Sequence, residues 1–135
     1  MPKSHATTLS GRRILVVDDA PDNQAIIQLF IEAVGGEVAI AGNGREAVDA
    51  MLKETFDVVL MDIQMPVMDG YQALKTAREG GYLGPILALT AHALKEEKDA
   101  CLDAGFTDYL SKPIDRALLI HRIAELSTRP NEFVK

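Results

Sequence analysis

Four places in the 135-residue chain carry side chains that could do chemistry together. Asp18 and Asp19 form an acidic pair. Asp62 follows Val58-Val59-Leu60-Met61, Thr90 follows Ile86-Leu87-Ala88-Leu89, and Lys112 precedes Pro113. Carboxylates brought close together repel, and at least one takes a raised pKa unless a cation is present. Hard oxygen ligands at an open edge suit Mg²⁺, which keeps several of its waters and pairs with phosphate. A lysine and a hydroxyl beside them would bind the remaining oxygens of a tetrahedral phosphoryl group. The set describes a site for phosphoryl transfer, in which positioning and charge neutralisation supply most of the catalysis. Asp62 is then the nucleophile, since a carboxylate can form an aspartyl phosphate.

These residues are far apart in the chain, so the fold must gather them. The acidic pair, Asp62 and Thr90 each follow a short apolar run, and Lys112 follows a short fifth strand. Ile14 to Val17 is β-branched and closed by the acidic pair. Val58 to Met61 carries no charge and is followed by the breakers Pro66 and Gly70. Runs of this kind read as strands buried on both faces, in the middle of a sheet. The carboxyl end of such strands is where an open parallel sheet places its chemistry.

Between the strands lie helices. Pro21 occupies a first helical position with Asp22 in the first turn. Ile26, Ile27, Phe30, Ile31 and Val34 follow at helical spacing, and Gly35-Gly36 ends the helix. Glu37 to Ala41 reads as a second strand. Asn43 is an expected N-cap with Glu46 as its capping-box partner, and Ala47, Val48, Ala50, Met51 and Leu52 form the apolar face behind it. Asp69 and Gly70 open a third helix containing Ala73, Leu74 and Ala77. A fourth spans 94–104, with Lys95, Glu96, Glu97 and Lys98 as a charged face and Gly105 as its stop. A fifth strand is expected over 106–110, and Asp115 caps a fifth helix over 117–126. Residues 1–11 read as a flexible N-terminal tail or linker and 128–135 as a C-terminal tail, leaving one folded unit over 12–127. Strictly alternating strands and helices imply a parallel sheet with helices on both faces and right-handed crossovers.

Composition narrows the functional classes. Hydrophobic residues make up 47% and charged residues 25%, ordinary values for a globular chain. The formal net charge of −6 argues against general nucleic-acid binding, which needs a basic footprint. A single cysteine, Cys101, excludes an internal disulfide and any cysteine metal cluster. No apolar run approaches the roughly 20 residues of a membrane span, and residues 1–10 lack a signal-peptide core. The expected location is the cytoplasm.

The motifs Val16-Val17-Asp18-Asp19, Met61-Asp62-Ile63-Gln64-Met65-Pro66-Val67-Met68-Asp69-Gly70, Leu89-Thr90-Ala91 and Leu110-Ser111-Lys112-Pro113 occur in this order. Together they resemble the response-regulator receiver domain of two-component and phosphorelay signalling, over residues 12–127. The resemblance implies a flavodoxin-like (βα)5 three-layer fold with strand order 2-1-3-4-5. It implies that Asp62 is the phosphoacceptor for a phosphohistidine on a histidine kinase or histidine phosphotransfer protein. Asp19 and Asp62 would hold Mg²⁺, Asp18 would help largely through water, and the backbone carbonyl of Gln64 would be a further ligand. Thr90 and Lys112 would contact the phosphoryl oxygens, and Tyr109 occupies the aromatic switch position. The resemblance also raises the expectation of a cis peptide at Lys112-Pro113 above the base rate of about 5–6%. Phosphorylation of Asp62 would draw in the Thr90 hydroxyl, let Tyr109 turn inward, and change the surface of helix 4, strand 5 and helix 5. Gln64, Ala91 and His92 flank the expected water route and are candidates for setting the lifetime of the phosphoryl group.

The motifs resemble receivers of hybrid sensor kinases as much as single-domain regulators. Such a domain is not an enzyme on other substrates, since it catalyses only its own phosphotransfer and autodephosphorylation. Its expected partners are phosphohistidine proteins rather than nucleic acid, and its expected state is a monomer or a weak phosphorylation-linked dimer. Two other classes compete. A phosphate-independent interaction domain would not need the intact set Asp18, Asp19, Asp62, Thr90 and Lys112. An aspartate-nucleophile phosphohydrolase usually carries a second acid two residues after its nucleophile, where this chain has Gln64.

Overall fold

The computed structural model describes residues 8–65, 68–91 and 94–127. Five strands alternate with five helices: β1 (Arg13–Val17), α1 (Pro21–Glu32), β2 (Glu37–Ala41), α2 (Gly44–Lys53), β3 (Val58–Asp62), α3 (Gly70–Glu79), β4 (Ile86–Thr90), α4 (Lys95–Ala104), β5 (Asp108–Ser111) and α5 (Arg116–Leu126). The strands form one parallel sheet in the order β2-β1-β3-β4-β5. This is the flavodoxin-like arrangement expected from the sequence.

The apolar runs explain the order. β3 and β4 are buried at all five positions, whereas the edge strands β2 and β5 are not. Alternate residues of each strand face opposite sides. Leu15, Val17, Val59 and Met61 pack beneath α2, α3 and α4 with Val48, Met51, Leu74 and Cys101. Ile14, Val16, Val58 and Leu60 pack on the other face with Ile27 and Ile31 of α1 and Leu119 and Ile123 of α5. Each fully buried Val, Leu or Ile contributes about 1.5–3 kcal/mol, so the central strands are the most expensive part of the fold to move. They supply a rigid base for whatever their carboxyl ends hold.

Several sequence expectations are corrected. Leu9 lies within the expected N-terminal tail, yet it is fully buried in the α1/α5 layer, and its N–H bonds Val34 O at 2.9 Å. An isolated Leu among polar residues gave no periodic signal. β5 begins at Asp108 rather than 106, because the Phe106 N–H closes α4 on Cys101 O at 3.1 Å. Phe106 is buried there as part of the core. Asn43 does cap α2, accepting from Glu46 N–H at 2.9 Å, but the Glu46 carboxylate accepts from Gly42 N–H rather than from Asn43. The full reciprocal box sits instead on α3, between Asp69 and Gln72. The charged residues at the start of α4 wrap around its first turn, and Glu97 and Lys98 are half-buried. Ile26 and Leu52 are about half exposed, at 49% each, so the apolar faces of α1 and α2 are narrower than their sequences imply.

Candidate functional site

All five residues with chemical potential emerge at the carboxyl edge of the sheet. β1 leads into Asp18 and Asp19, β3 ends on Asp62, β4 ends on Thr90, and β5 leads through Ser111 to Lys112. The Asp18 N–H bonds Ala41 O of β2 at 3.2 Å, and Asp18 Oδ1 accepts from the Ala20 N–H at 2.9 Å. The chain then enters α1 at Pro21, whose missing N–H costs nothing at that position.

After Asp62 the chain returns sharply. The Gly70 N–H donates to Ile63 O at 2.8 Å. A Cβ at Gly70 would lie 2.8 Å from both Asp62 O and Ile63 Cα. Only glycine lets the start of α3 press this close against the end of β3. Gly44 plays a similar part for the loop itself, since a Cβ there would sit 2.3 Å from Met68 O.

The geometry is compact. Ligand oxygens of Asp18, Asp19 and Asp62 lie within 4.8 Å of one another. Lys112 Nζ stands 3.2 Å from Asp62 Oδ2 and 3.5 Å from Asp18 Oδ2. The Gln64 N–H donates to Asp62 Oδ1 at 3.2 Å. Asp18, Asp62 and Thr90 are buried, while Asp19 is exposed. The Lys112 N–H bonds Thr90 O at 2.7 Å, which ties β5 to β4 beside the site, and the Lys112-Pro113 peptide is cis. Burial pushes the Asp62 carboxyl above its ordinary value, with Lys112 opposing and the Asp18 charge adding to the rise. Three hard carboxylates form an oxygen donor set that could hold a divalent metal ion, with the Lys112 ammonium beside it.

Comparison with known proteins identifies the arrangement. Residues 14–124 match the family model of the response regulator receiver domain. The chain belongs to that family.

Its relatives include sensor kinases and a protein of about its own size. It is 46% identical over 119 residues to the sensor histidine kinase GacS of Pseudomonas protegens, a match covering 83% of this chain and 13% of GacS. The chain thus spans about an eighth of the length of that relative. It is 38% identical to an uncharacterised 14.6 kDa protein of Leptolyngbya boryana, covering 87% of this chain and 92% of that one. Among solved structures, the receiver domain of a Pseudomonas aeruginosa sensor histidine kinase is 37% identical with a TM-score of 0.82. The match covers 89% of this chain and all of that one, and that domain carries a magnesium ion coordinated in its active site cleft. The receiver domain of the Saccharomyces cerevisiae response regulator Ssk1, in a co-crystal with the histidine phosphotransfer protein Ypd1, is 30% identical with a TM-score of 0.83 over 88% of this chain and 90% of that one.

In this receiver domain the sequence-predicted residues Asp18, Asp19, Asp62, Thr90 and Lys112 share one edge of the sheet. Gln64 is exposed next to Asp62, and its described contact there is made by its N–H. Ala91 is exposed at the end of β4. His92 lies outside the described residues. Tyr109 is half-buried on β5, with Lys98 Nζ of α4 5.4 Å from its ring centroid. Sequence reasoning missed two things. Asn23 and Gln24 of α1 both donate to Asp18, a contact signalled only by their position one turn into the helix. Tyr71 bridges α3 to α4, with its hydroxyl 3.6 Å from Cys101 Sγ and its ring edge-on to Phe106 at 5.7 Å. Burial raises the pKa of both Tyr71 and Cys101.

Proposed function

We propose that this receiver domain accepts a phosphoryl group from a protein phosphohistidine onto Asp62. The observation that carries the reading is the position of Asp62: buried at the end of β3, 3.2 Å from Lys112 Nζ, with two further carboxylates beside it. A carboxylate oxygen of Asp62 attacks phosphorus, the bond from phosphorus to the imidazole nitrogen breaks, and the electron pair leaves with the imidazole. Asp62 becomes an acyl phosphate. The Gln64 N–H on Oδ1 and Lys112 on Oδ2 fix the carboxylate for the attack. Lys112 then follows the charge onto the phosphoryl oxygens, joined by the Thr90 hydroxyl. Asp18, Asp19 and Asp62, with the Gln64 carbonyl, would hold Mg²⁺. When bound, the ion neutralises the clustered carboxylates and the incoming phosphoryl oxygens. The magnesium and the phosphotransfer partner recorded for two similar receivers support this assignment.

The output is a changed surface. Movement of Thr90 toward the phosphoryl group would free space for Tyr109 and shift α4, β5 and α5. Lys98 beside the Tyr109 ring couples α4 to that movement. The domain acts on itself alone, in the cytoplasm, as a monomer or a weak phosphorylation-linked dimer. Its acidic charge favours a protein partner over nucleic acid. The test is transfer from a phosphorylated histidine phosphotransfer protein, with Mg²⁺ or with EDTA, followed by amide shifts in beryllofluoride. Transfer only with Mg²⁺, and shifts across residues 91–127, are expected. Transfer without the ion, or shifts confined to the loop after Asp62, would contradict the reading.

A further inference from the structure

The cation site is supported from outside the acidic cluster. Gln24 Nε2 donates to the Asp18 main-chain carbonyl at 2.6 Å, and Asn23 Nδ2 donates to Asp18 Oδ2 at 3.4 Å. Both come from the first turn of α1. The N-cap there is Ala20, whose side chain cannot accept a hydrogen bond. The first turn is therefore tied down by amides reaching backward to Asp18.

The Gln24 bond has a specific geometric consequence. The Asp18 carbonyl and the Asp19 N–H belong to one planar unit. The Asp18 N–H is held by Ala41 of β2 and its carbonyl by Gln24 of α1. With the backbone held on both sides, the plane that leads into Asp19 is fixed, and with it the origin of the Asp19 side chain. Asp18 is fully buried and Asp62 nearly so, so packing orients them. Asp19 is exposed, and packing does little for it. Its carboxylate nevertheless lies within 4.8 Å of the other two. Backbone control is what the exposed ligand requires.

We propose that Gln24 is a positioning residue of the cation site, which presents Asp19 by locking the Asp18–Asp19 peptide. This rests on the cation reading above and deepens it by assigning a residue that touches no ion. The Asn23 bond is longer, acts on a carboxylate that Lys112 and Ala20 also hold, and contributes less.

The test is a Mg²⁺ titration of the whole chain, read by backbone amide shifts, beside thermal unfolding with and without the ion. Gln24→Met keeps the length and helix propensity of the side chain and removes the donor. Gln28→Met, one turn further along α1, is the control. Gln24→Met is expected to weaken Mg²⁺ binding about tenfold, as loss of an outer support typically does. The Mg²⁺-linked rise in Tm should shrink with it, while Gln28→Met matches the native chain. A Kd unchanged in Gln24→Met, with only the Mg²⁺-free Tm lowered, makes Gln24 a structural residue and overturns the proposal. An equal loss in Gln28→Met also overturns it. Should Gln24→Met fail to fold, Gln24→Asn, whose amide is one methylene too short to reach, carries the same comparison. A native chain that shows no Mg²⁺ shifts defeats the proposed function itself; native binding with undiminished Gln24→Met defeats this inference alone.

Discussion

Replacing Lys112 with methionine isolates the electrostatic problem that the site poses. The ammonium lies 3.2 Å from Asp62 and 3.5 Å from Asp18, and at an effective dielectric near 20 such contacts are worth about 5 kcal/mol each before desolvation. Desolvation offsets much of this, and removing one partner from a buried ion pair costs about 3–5 kcal/mol. The Lys112 side chain is 24% exposed, so water screens part of the interaction and the cost should fall near 3 kcal/mol. The penalty depends on pH. Burial already holds the Asp62 pKa above its ordinary 3.8, and Lys112 is the strongest influence pulling it down. Without Lys112 the folded-state pKa rises further. A carboxyl whose pKa is higher folded than unfolded gains protons on folding. Its contribution to stability is complete below the unfolded value and is lost as pH rises through the folded one. The deficit of Lys112→Met should therefore be largest near neutral pH and shrink as pH falls toward about 4. Urea unfolding in EDTA, followed by circular dichroism, measures it, and added Mg²⁺ should narrow the gap by replacing the missing positive charge. A variant as stable as the native chain at neutral pH, or a deficit that grows on acidification, would refute the reasoning.

Asp62→Asn removes a buried charge held at a raised pKa, so in EDTA at neutral pH it should unfold at a higher urea concentration than the native chain, and its stability should vary less with pH. Substitutions at exposed Gln64 should change the rate of aspartyl-phosphate loss while moving stability by less than about 0.5 kcal/mol; identical decay across a series of side chains would remove Gln64 from the water route. Gly44→Ala should destabilise by about 1–3 kcal/mol, because its Cβ would meet Met68 O at 2.3 Å and the loop after Asp62 must give way. Urea midpoints, with amide shifts at Met68 and Asp69, report both effects.

Much of this was legible in the sequence because it is local. Uninterrupted apolar runs marked β3 and β4 as central, and the acids, hydroxyl and lysine at the strand exits marked one edge of the sheet. Contacts that skip along the chain were not legible. Leu9 joins the core by packing across the layer of α1 and α5, which no window around residue 9 encodes. The start of β5 was misplaced because Phe106 is apolar and buried, yet its N–H serves α4. Gln24 reads as a polar helix residue until the fold turns α1 back over Asp18. The Gln64 N–H on the Asp62 carboxylate likewise depends on the backbone course of the turn and not on the identity of the side chain.

The most direct test of the account is intact-mass measurement after incubation with acetyl phosphate, on the native chain and on Asp62→Asn, each with Mg²⁺ and with EDTA. One phosphoryl group on the native chain in Mg²⁺, and none in the other three samples, is the result the account predicts. An adduct that survives in Asp62→Asn, or that forms equally well in EDTA, would contradict it.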